Sequence, residues 1–219
     1  IKAGADPNLH MNLGVTPLML AAQWNSDPDM CSALINAGAR YSARDSSGRT
    51  SLILAAEFNT APEVLSVLIK AGIDVNATDK NGDTPLHNVV KSVEKNRRYD
   101  PLPILLSKCS HPNTPNEFGR TALFTAVRTG NTGDIDKLIA AGGDVNRVDR
   151  FGHGPAHVAA IKAGNRNKDV GDSYYKILQT LVRHGADLEL RDYKGRTVTD
   201  CLKQFAGREW RAASNSVAK

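Results

Sequence analysis

The sequence predicts an all-α repeat solenoid, on three observations. A short phrase returns six times, as Gly14-Val15-Thr16-Pro17-Leu18, Gly48-Arg49-Thr50-Ser51-Leu52, Gly82-Asp83-Thr84-Pro85-Leu86, Gly119-Arg120-Thr121-Ala122-Leu123, the weaker Gly152-His153-Gly154-Pro155-Ala156, and Gly195-Arg196-Thr197-Val198. Successive phrase glycines stand 34, 34, 37, 33 and 43 residues apart, the period of a stacked repeat. A second marker (Gly4, Gly38, Gly72, Cys109, Gly142 or Gly185) precedes each phrase glycine by 10 residues every time. One half of each repeat therefore has a fixed length, and the other absorbs every insertion.

The chemistry of each half defines its elements. The fixed half holds Asp6-Pro7-Asn8, Asp74-Val75-Asn76, Asp144-Val145-Asn146 and Asp187-Leu188-Glu189, turn-forming segments that end in a phrase glycine able to take the positive φ of a tight bend. The threonine of the phrase can cap a helix, and proline next to it is pre-set for a first helical turn. The variable half carries apolar residues at helical spacing, such as Leu65, Leu68 and Ile69, or Ile177, Leu178, Leu181 and Val182. Its closing glycine sits where a helix stops. One repeat is thus helix, loop, helix, then a projecting β-hairpin or loop, and neighbours must stack to bury their apolar faces. The insertions fall where a loop joins the two helices.

These residues resemble the ankyrin repeat family from the first residue to about Leu202, most closely in Asp45–Thr78 and Asp79–Pro115. The resemblance implies a curved, elongated stack with hairpin tips and first helices lining a concave face. The divisions expected are a truncated repeat remnant at 1–9, repeats at 10–43, 44–77, 78–114 (with an insertion), 115–147 and 148–190 (with a long insertion), a capping repeat at 191–211, and a tail at 212–219. Ile1-Lys2-Ala3-Gly4 reads as the last turn of a second helix, so the natural protein is expected to continue upstream. Thr197–Phe205 reads as a closing helix with Cys201, Leu202 and Phe205 inward. Two departures stand out. Gly154 replaces a capping threonine, which should weaken that helix start, and Cys109-Ser110-His111 replaces a Gly-Ala-Asp ending. If the source is an animal, the resemblance further implies that Asn76 and Asn146 are hydroxylation targets.

Composition narrows the function. The 219 residues hold 28 Lys and Arg against 23 Asp and Glu, a net charge of +5. No apolar run is long enough to span a membrane and no signal peptide opens the sequence. Cys31, Cys109 and Cys201 are an odd number at unrelated positions, expected to be free thiols of an intracellular protein, cytoplasmic or nuclear, or within a host cell for a bacterial effector. Acidic residues are interspersed throughout, which disfavours nucleic acid as the partner. No cysteine pair has zinc spacing, His153 and His157 lack the two further ligands a metal site needs, and no nucleophile elbow or phosphate-cradling glycine loop occurs, so neither catalysis nor a metal or cofactor is expected. His87 and His157 end the Thr-Pro-Leu-His pattern, where the family uses imidazole to bond neighbouring repeats.

A stacked repeat points instead to binding, with the chain a monomeric scaffold for a protein or peptide partner. Laid on one another, the repeats put Trp24, Phe58, Ser92, Thr129 and Lys162 at one groove-facing address, and Gln23, Glu57, Lys91, Arg128 and Ile161 just before it. Trp24 beside Phe58 would form an aromatic step, an anchor of the kind that dominates interfaces. Lys91, Arg128 and Lys162, with Lys95, Arg97 and Arg98 from one insertion and Arg166 and Lys168 from the other, would form a basic strip. Together they suit an apolar segment followed by acidic or phosphorylated residues. Phe118, Phe151 and Tyr193 on adjacent tips offer a second ridge. The alternative is a recruiting region of a larger enzyme, channel or bacterial effector whose activity lies elsewhere.

Overall fold

The computed structural model describes residues 4–58, 61–91, 100–165 and 167–205. The chain divides into two compact units, Ile1–Glu117 and Phe118–Lys219. The first holds α1 (Pro17–Trp24), α2 (Pro28–Asn36), α3 (Ser51–Phe58), α4 (Pro62–Lys70), α5 (Pro85–Lys91) and α6 (Leu102–Leu106). There α1 packs on α3 and α3 on α5, while α2 lies against α4. The second holds α7 (Ala122–Thr129), α8 (Thr132–Ala140), α9 (Pro155–Ala163), α10 (Lys168–Arg183) and α11 (Val198–Phe205), with α9 packed against α7, α10 and α11. Leu52, Ile53, Leu54, Leu65 and Leu68 fill one core; Leu123, Phe124, Ile135, Leu178 and Leu181 fill the other.

Helix starts follow the phrase. The Oγ1 of Thr16, Thr50 and Thr121 accepts the backbone N–H three residues on, at 3.3, 3.3 and 3.2 Å. Thr197 does so at 3.1 Å, and Asp200 Oδ2 accepts the Thr197 N–H in return at 3.0 Å. Gly154 has no side chain to offer, and only the reverse bond survives, its N–H donating to His157 Nδ1 at 3.3 Å. A glycine cap costs only a few tenths of a kcal/mol relative to threonine, so α9 forms at full length.

Two expectations change in detail. Among the described residues no strand forms: the first tip is a short 3-10 helix, Asn12–Gly14, the later tips are turns, and one isolated antiparallel bridge joins Arg191 to Thr197. The capping threonine follows the phrase glycine by two residues, so the returning arm becomes helix before a ladder can extend. The long insertion of the fifth repeat does not stay a loop either. It lengthens the second helix, α10 having 16 residues where α2, α4 and α8 have 9. Gly171 makes this possible, because a Cβ there would sit 2.8 Å from the Ala163 carbonyl oxygen at the end of α9. The insertion of the third repeat, residues 92–99, lies outside the described residues, as do residues 1–3 and the tail. The Phe205 side chain is likewise outside them, while Cys201 and Leu202 of α11 are buried.

Candidate protein-interaction surfaces

In the first unit, α1 and α3 end on equivalent residues, and their packing makes neighbours of positions 34 apart in sequence. Trp24 and Phe58 stack with ring centroids 5.9 Å apart and planes at 28°. Such a pair is worth about 0.5–1.5 kcal/mol beyond area burial, yet it covers only one face of each ring. Trp24 stays 70% exposed and Phe58 37%.

The expected cations are mostly engaged already. Lys91 Nζ is bonded to the carboxylate of Asp83, which is buried and also accepts from Asn116 Nδ2 at 2.8 Å. Lys162 Nζ donates to the Arg128 carbonyl at 2.8 Å and sits 5.1 Å from the centre of the Tyr174 ring. The Tyr174 hydroxyl donates to the same carbonyl at 3.1 Å. Lys162 and Tyr174 thus close the C-terminus of α7, where positive charge meets the negative end of the helix dipole. Arg128 is half-buried, and its Nε has no hydrogen-bond partner among the described residues. Lys91 lies in the first unit, Arg128 and Lys162 in the second. Lys95, Arg97, Arg98 and Arg166 fall outside the described residues.

The tips of the second unit carry exposed rings on a bonded edge. Arg150 N–H donates to the Phe118 carbonyl and Tyr193 N–H to the Phe151 carbonyl, each at 3.0 Å. That bond brings the Phe151 and Tyr193 rings to 6.2 Å, with His153 at 6.4 and 6.1 Å from them. Phe118 packs instead under the Arg120 guanidinium, 5.3 Å from its ring centre. Lys194 lies 5.5 Å from the centre of the Tyr193 ring.

The sequence reading missed what holds these tips. A carboxylate or asparagine stands three residues before each phrase glycine from Gly48 onward, a periodic signal that could have been found. Asp45 accepts the N–H groups of Ser47 and Arg49 at 2.9 and 2.8 Å. Asp192 does the same for Lys194 and Arg196, each at 2.9 Å, and pairs with Arg196 at 2.7 Å. Burial works to raise the Asp192 carboxyl, but the hydrogen bonds from Arg196 and Lys194 and the Arg196 charge hold it down at about 2. Asp149 takes Arg120 at 3.2 Å, and His153 Nε2 lies 3.5 Å from Asp192 Oδ2.

The remaining chemistry-bearing groups sit in structural roles. Burial lowers the His157 pKa, and the neutral ring accepts from Gly154 at Nδ1 and bonds the Arg196 carbonyl from Nε2 at 3.2 Å, tying one repeat to the next. Burial, with Asp27 nearby, pushes the Cys31 thiol up to about 11, and burial also raises Cys109 and Cys201. These are the reverse of an activated nucleophile. Among the described residues no three His, Cys, Asp or Glu side chains are grouped to hold a metal ion, and no helix is long and apolar enough to cross a membrane.

Comparison with known proteins agrees with this architecture. A family model described as ankyrin repeats (3 copies) matches residues 1–79, 18–113, 52–132 and 86–192. The inactive serine/threonine-protein kinase TEX14 of Bos taurus is 35% identical over 111 residues, 51% of this chain and 6% of that protein. RelA-associated inhibitor of Mus musculus is 38% identical over 81 residues, 37% of this chain and 9% of its own length. The chain thus spans less than a tenth of either relative. Among solved structures, the ankyrin repeat domain of Bcl-3, a member of the IkappaB family, aligns with a TM-score of 0.77 at 26% identity, covering 97% of this chain and 86% of that one. An ankyrin repeat domain from Acinetobacter baumannii AYE aligns at 0.76 with 28% identity, covering 92% and 96%. Ankyrin repeats are protein-interaction modules, and this chain belongs to the ankyrin repeat family.

Proposed function

We propose that this chain is a non-catalytic scaffold that binds a partner protein through two surfaces, one in each unit. The observation that carries the reading is the exposed Trp24–Phe58 stack. Its rings are not demanded by either core, and exposed aromatics with fixed geometry bind at low entropic cost. In the first unit this step takes an apolar segment of the partner. In the second, Phe118, Phe151 and Tyr193 form the contact ridge, with Arg150 and Lys194 beside them to receive acidic or phosphorylated residues. Lys91 and Lys162 contribute by holding the first helices in place. Arg128, Arg97 and Arg98 complete the acid-reading set.

The test is affinity capture with the wild-type chain and with the Trp24→Ala/Phe58→Ala double variant, quantified by mass spectrometry. Partners retained by the wild type and lost by the variant, at unchanged melting temperature, support the reading; an identical captured set overturns it. A recruiting region of a larger protein remains the second reading, favoured by the small share of each relative that the chain spans. The TEX14 relative, of which the chain spans 6%, is named as an inactive serine/threonine-protein kinase.

A further inference from the structure

The long insertion of the fifth repeat builds more than a longer helix. Aligned at their C-terminal ends, α8 and α10 share 9 residues, and residues 168–174 of α10 have no counterpart. α10 packs on α9 and stands off from α8, whereas α2 and α4, the corresponding helices of the first unit, lie against each other. Between α8 and α10 a groove of about 510 Å3 opens, lined by Ile135 and Asp136 from one helix and Asp169, Asp172, Lys176 and Ile177 from the other. Clefts that take ligands run from roughly 300 to 1,000 Å3. The groove lies between two successive repeats of the second unit, and the following helix, α11, packs on α9 and leaves it open.

The lining residues decide what fits. Ile135 and Ile177 are each 2% exposed and give the groove an apolar floor. Asp136, Asp169 and Asp172 are exposed above it, and no ion pair or side-chain hydrogen bond engages their carboxylates among the described residues. Three carboxylates thus share the groove with one ammonium group, that of Lys176, in a chain whose net charge is +5. Their own helices do not require them. Only Asp169 lies in a first turn, where the helix dipole favours an anion; Asp136 and Asp172 are each fifth in their helix, past that effect. Asp169 and Asp172, three residues apart on α10, also repel each other. An apolar floor below unpaired carboxylates suits a side chain with an aliphatic stem and a cationic head, and a forked guanidinium matches a carboxylate better than an ammonium group does. We propose that the groove between α8 and α10 docks an arginine-bearing segment of a partner protein, with the arginine stems along Ile135 and Ile177 and the guanidinium groups on Asp136, Asp169 and Asp172. This is a third surface, and it rests on the scaffold reading above only in taking a protein as the partner.

The probe is a fluorescein-labelled synthetic hexapeptide of alternating arginine and glycine, with matched peptides carrying lysine or glutamate in place of arginine. Fluorescence anisotropy against the 219-residue chain at low salt should show the arginine peptide binding about five-fold more tightly than the lysine peptide, and the glutamate peptide not binding. Asp136→Asn/Asp172→Asn should weaken the arginine peptide about ten-fold with an unchanged circular dichroism spectrum. Asp29→Asn, which removes an exposed carboxylate of α2 in the first unit, should leave it unchanged. No binding of the arginine peptide, equal affinity for arginine and lysine, or indifference to the double variant overturns the inference. An equal loss with Asp29→Asn means diffuse attraction to surface carboxylates, and that overturns it too. Trp24→Ala/Phe58→Ala alters only the first unit, so arginine-peptide binding should survive in that variant. Loss of the peptide result with Trp24- and Phe58-dependent capture intact sinks this inference alone, and the opposite result sinks only the first reading.

Discussion

Glycine marks two edges of each repeat, and the two edges need it for different reasons. At a tip, Gly82 holds φ at +74°, and a Cβ there would lie 2.7 Å from the Glu117 backbone nitrogen and 3.0 Å from Asn116 Cα. At a helix end, Gly185 holds φ at +86°, yet nothing lies within 4 Å of the same added atom. The tip glycine carries both a left-handed conformation and the close approach of the next tip, whose Glu117 N–H donates to the Asn81 carbonyl at 2.9 Å. The helix-end glycine carries the conformation alone. The same close approach, at 2.9–3.1 Å, recurs at Gly48, Gly119 and Gly152, whereas one helix-end position accepts Cys109.

The helix-end joint makes up the difference with an asparagine. Asn146 Nδ2 donates to the Gly185 carbonyl at 3.0 Å, and Asn146 Oδ1 accepts the Asp187 N–H at 2.8 Å, so one side chain clamps two repeats by backbone bonds. Asn8 repeats the arrangement with Gly38 and Arg40 at 3.0 and 2.8 Å. Asn76 cannot. Cys109 is not in the left-handed region, its N–H bonds the Leu105 carbonyl at 2.9 Å, and Asn76 is left with side chains: the Cys109 thiol at 3.3 Å and the Ser110 hydroxyl at 3.4 Å.

The largest effect should come from Gly82→Ala. The left-handed conformation costs a non-glycine residue about 1–2 kcal/mol, and the backbone atoms it would strike cannot yield as a side chain can, so ~2–4 kcal/mol of stability should be lost. Gly185→Ala should lose only ~1–2 kcal/mol. Urea denaturation followed by circular dichroism compares them; equal midpoints for the two variants would break the contrast between the edges.

Next in size is the clamp. Asn146→Ala removes a side chain that satisfies two backbone groups and should cost ~1–2 kcal/mol, whereas Asn76→Ala, with two long side-chain contacts, should cost at most ~0.5 kcal/mol. Thermal melts of the two single variants at one pH measure this. A larger loss at Asn76 would show that its thiol and hydroxyl contacts match backbone bonds in strength.

How much of this could be read in advance follows the same division. The fixed 10-residue interval, the Thr cap and the apolar stripes are local signals, and they placed the helices and brought Trp24 against Phe58. What was missed depends on where long side chains end. Lys91 and Lys162 occupy surface-facing addresses, but a buried carboxylate at Asp83 and a helix-terminal carbonyl at Arg128 draw their ammonium groups inward. Repeat alignment gives an address for a Cα and cannot say which partner a four-carbon chain will reach. The extension of α10 was illegible for a related reason, since residues 164–171 contain two glycines and two asparagines, and only the contact at Gly171 shows that helix can pass there.

Acid should separate the two edges, because the tip joint is ionic and the helix-end joint is neutral. Asp192 is held at about 2 in the folded chain, against about 3.9 for an unperturbed aspartate. A depressed carboxyl gives stability that is complete above the unfolded value and lost as pH falls from about 4 toward 2. The wild-type melting temperature should therefore drop through that window. Asp192→Asn, which keeps the shape but not the charge, should melt lower at neutral pH and show a shallower acid drop; an unchanged acid profile would remove the charge from the account of the tip.

The smallest effect is the most discriminating. Cys109→Gly exchanges a residue adapted to its present turn for one that can take the left-handed ending seen at Gly185, and it exposes more backbone freedom in the unfolded chain. These oppose each other, so its own change should stay within ~0.5 kcal/mol. Its consequence should appear at Asn76. With a left-handed residue 109, the carbonyl there turns toward the asparagine as Gly185 does toward Asn146, and the penalty for Asn76→Ala should rise from at most ~0.5 to ~1–2 kcal/mol. A double-mutant cycle on residues 76 and 109 reads the coupling directly. Coupling near zero would mean that the asparagine clamp depends on more of the ending than its glycine, with Ser110 and His111, in place of the usual alanine and aspartate, holding that joint in its own geometry.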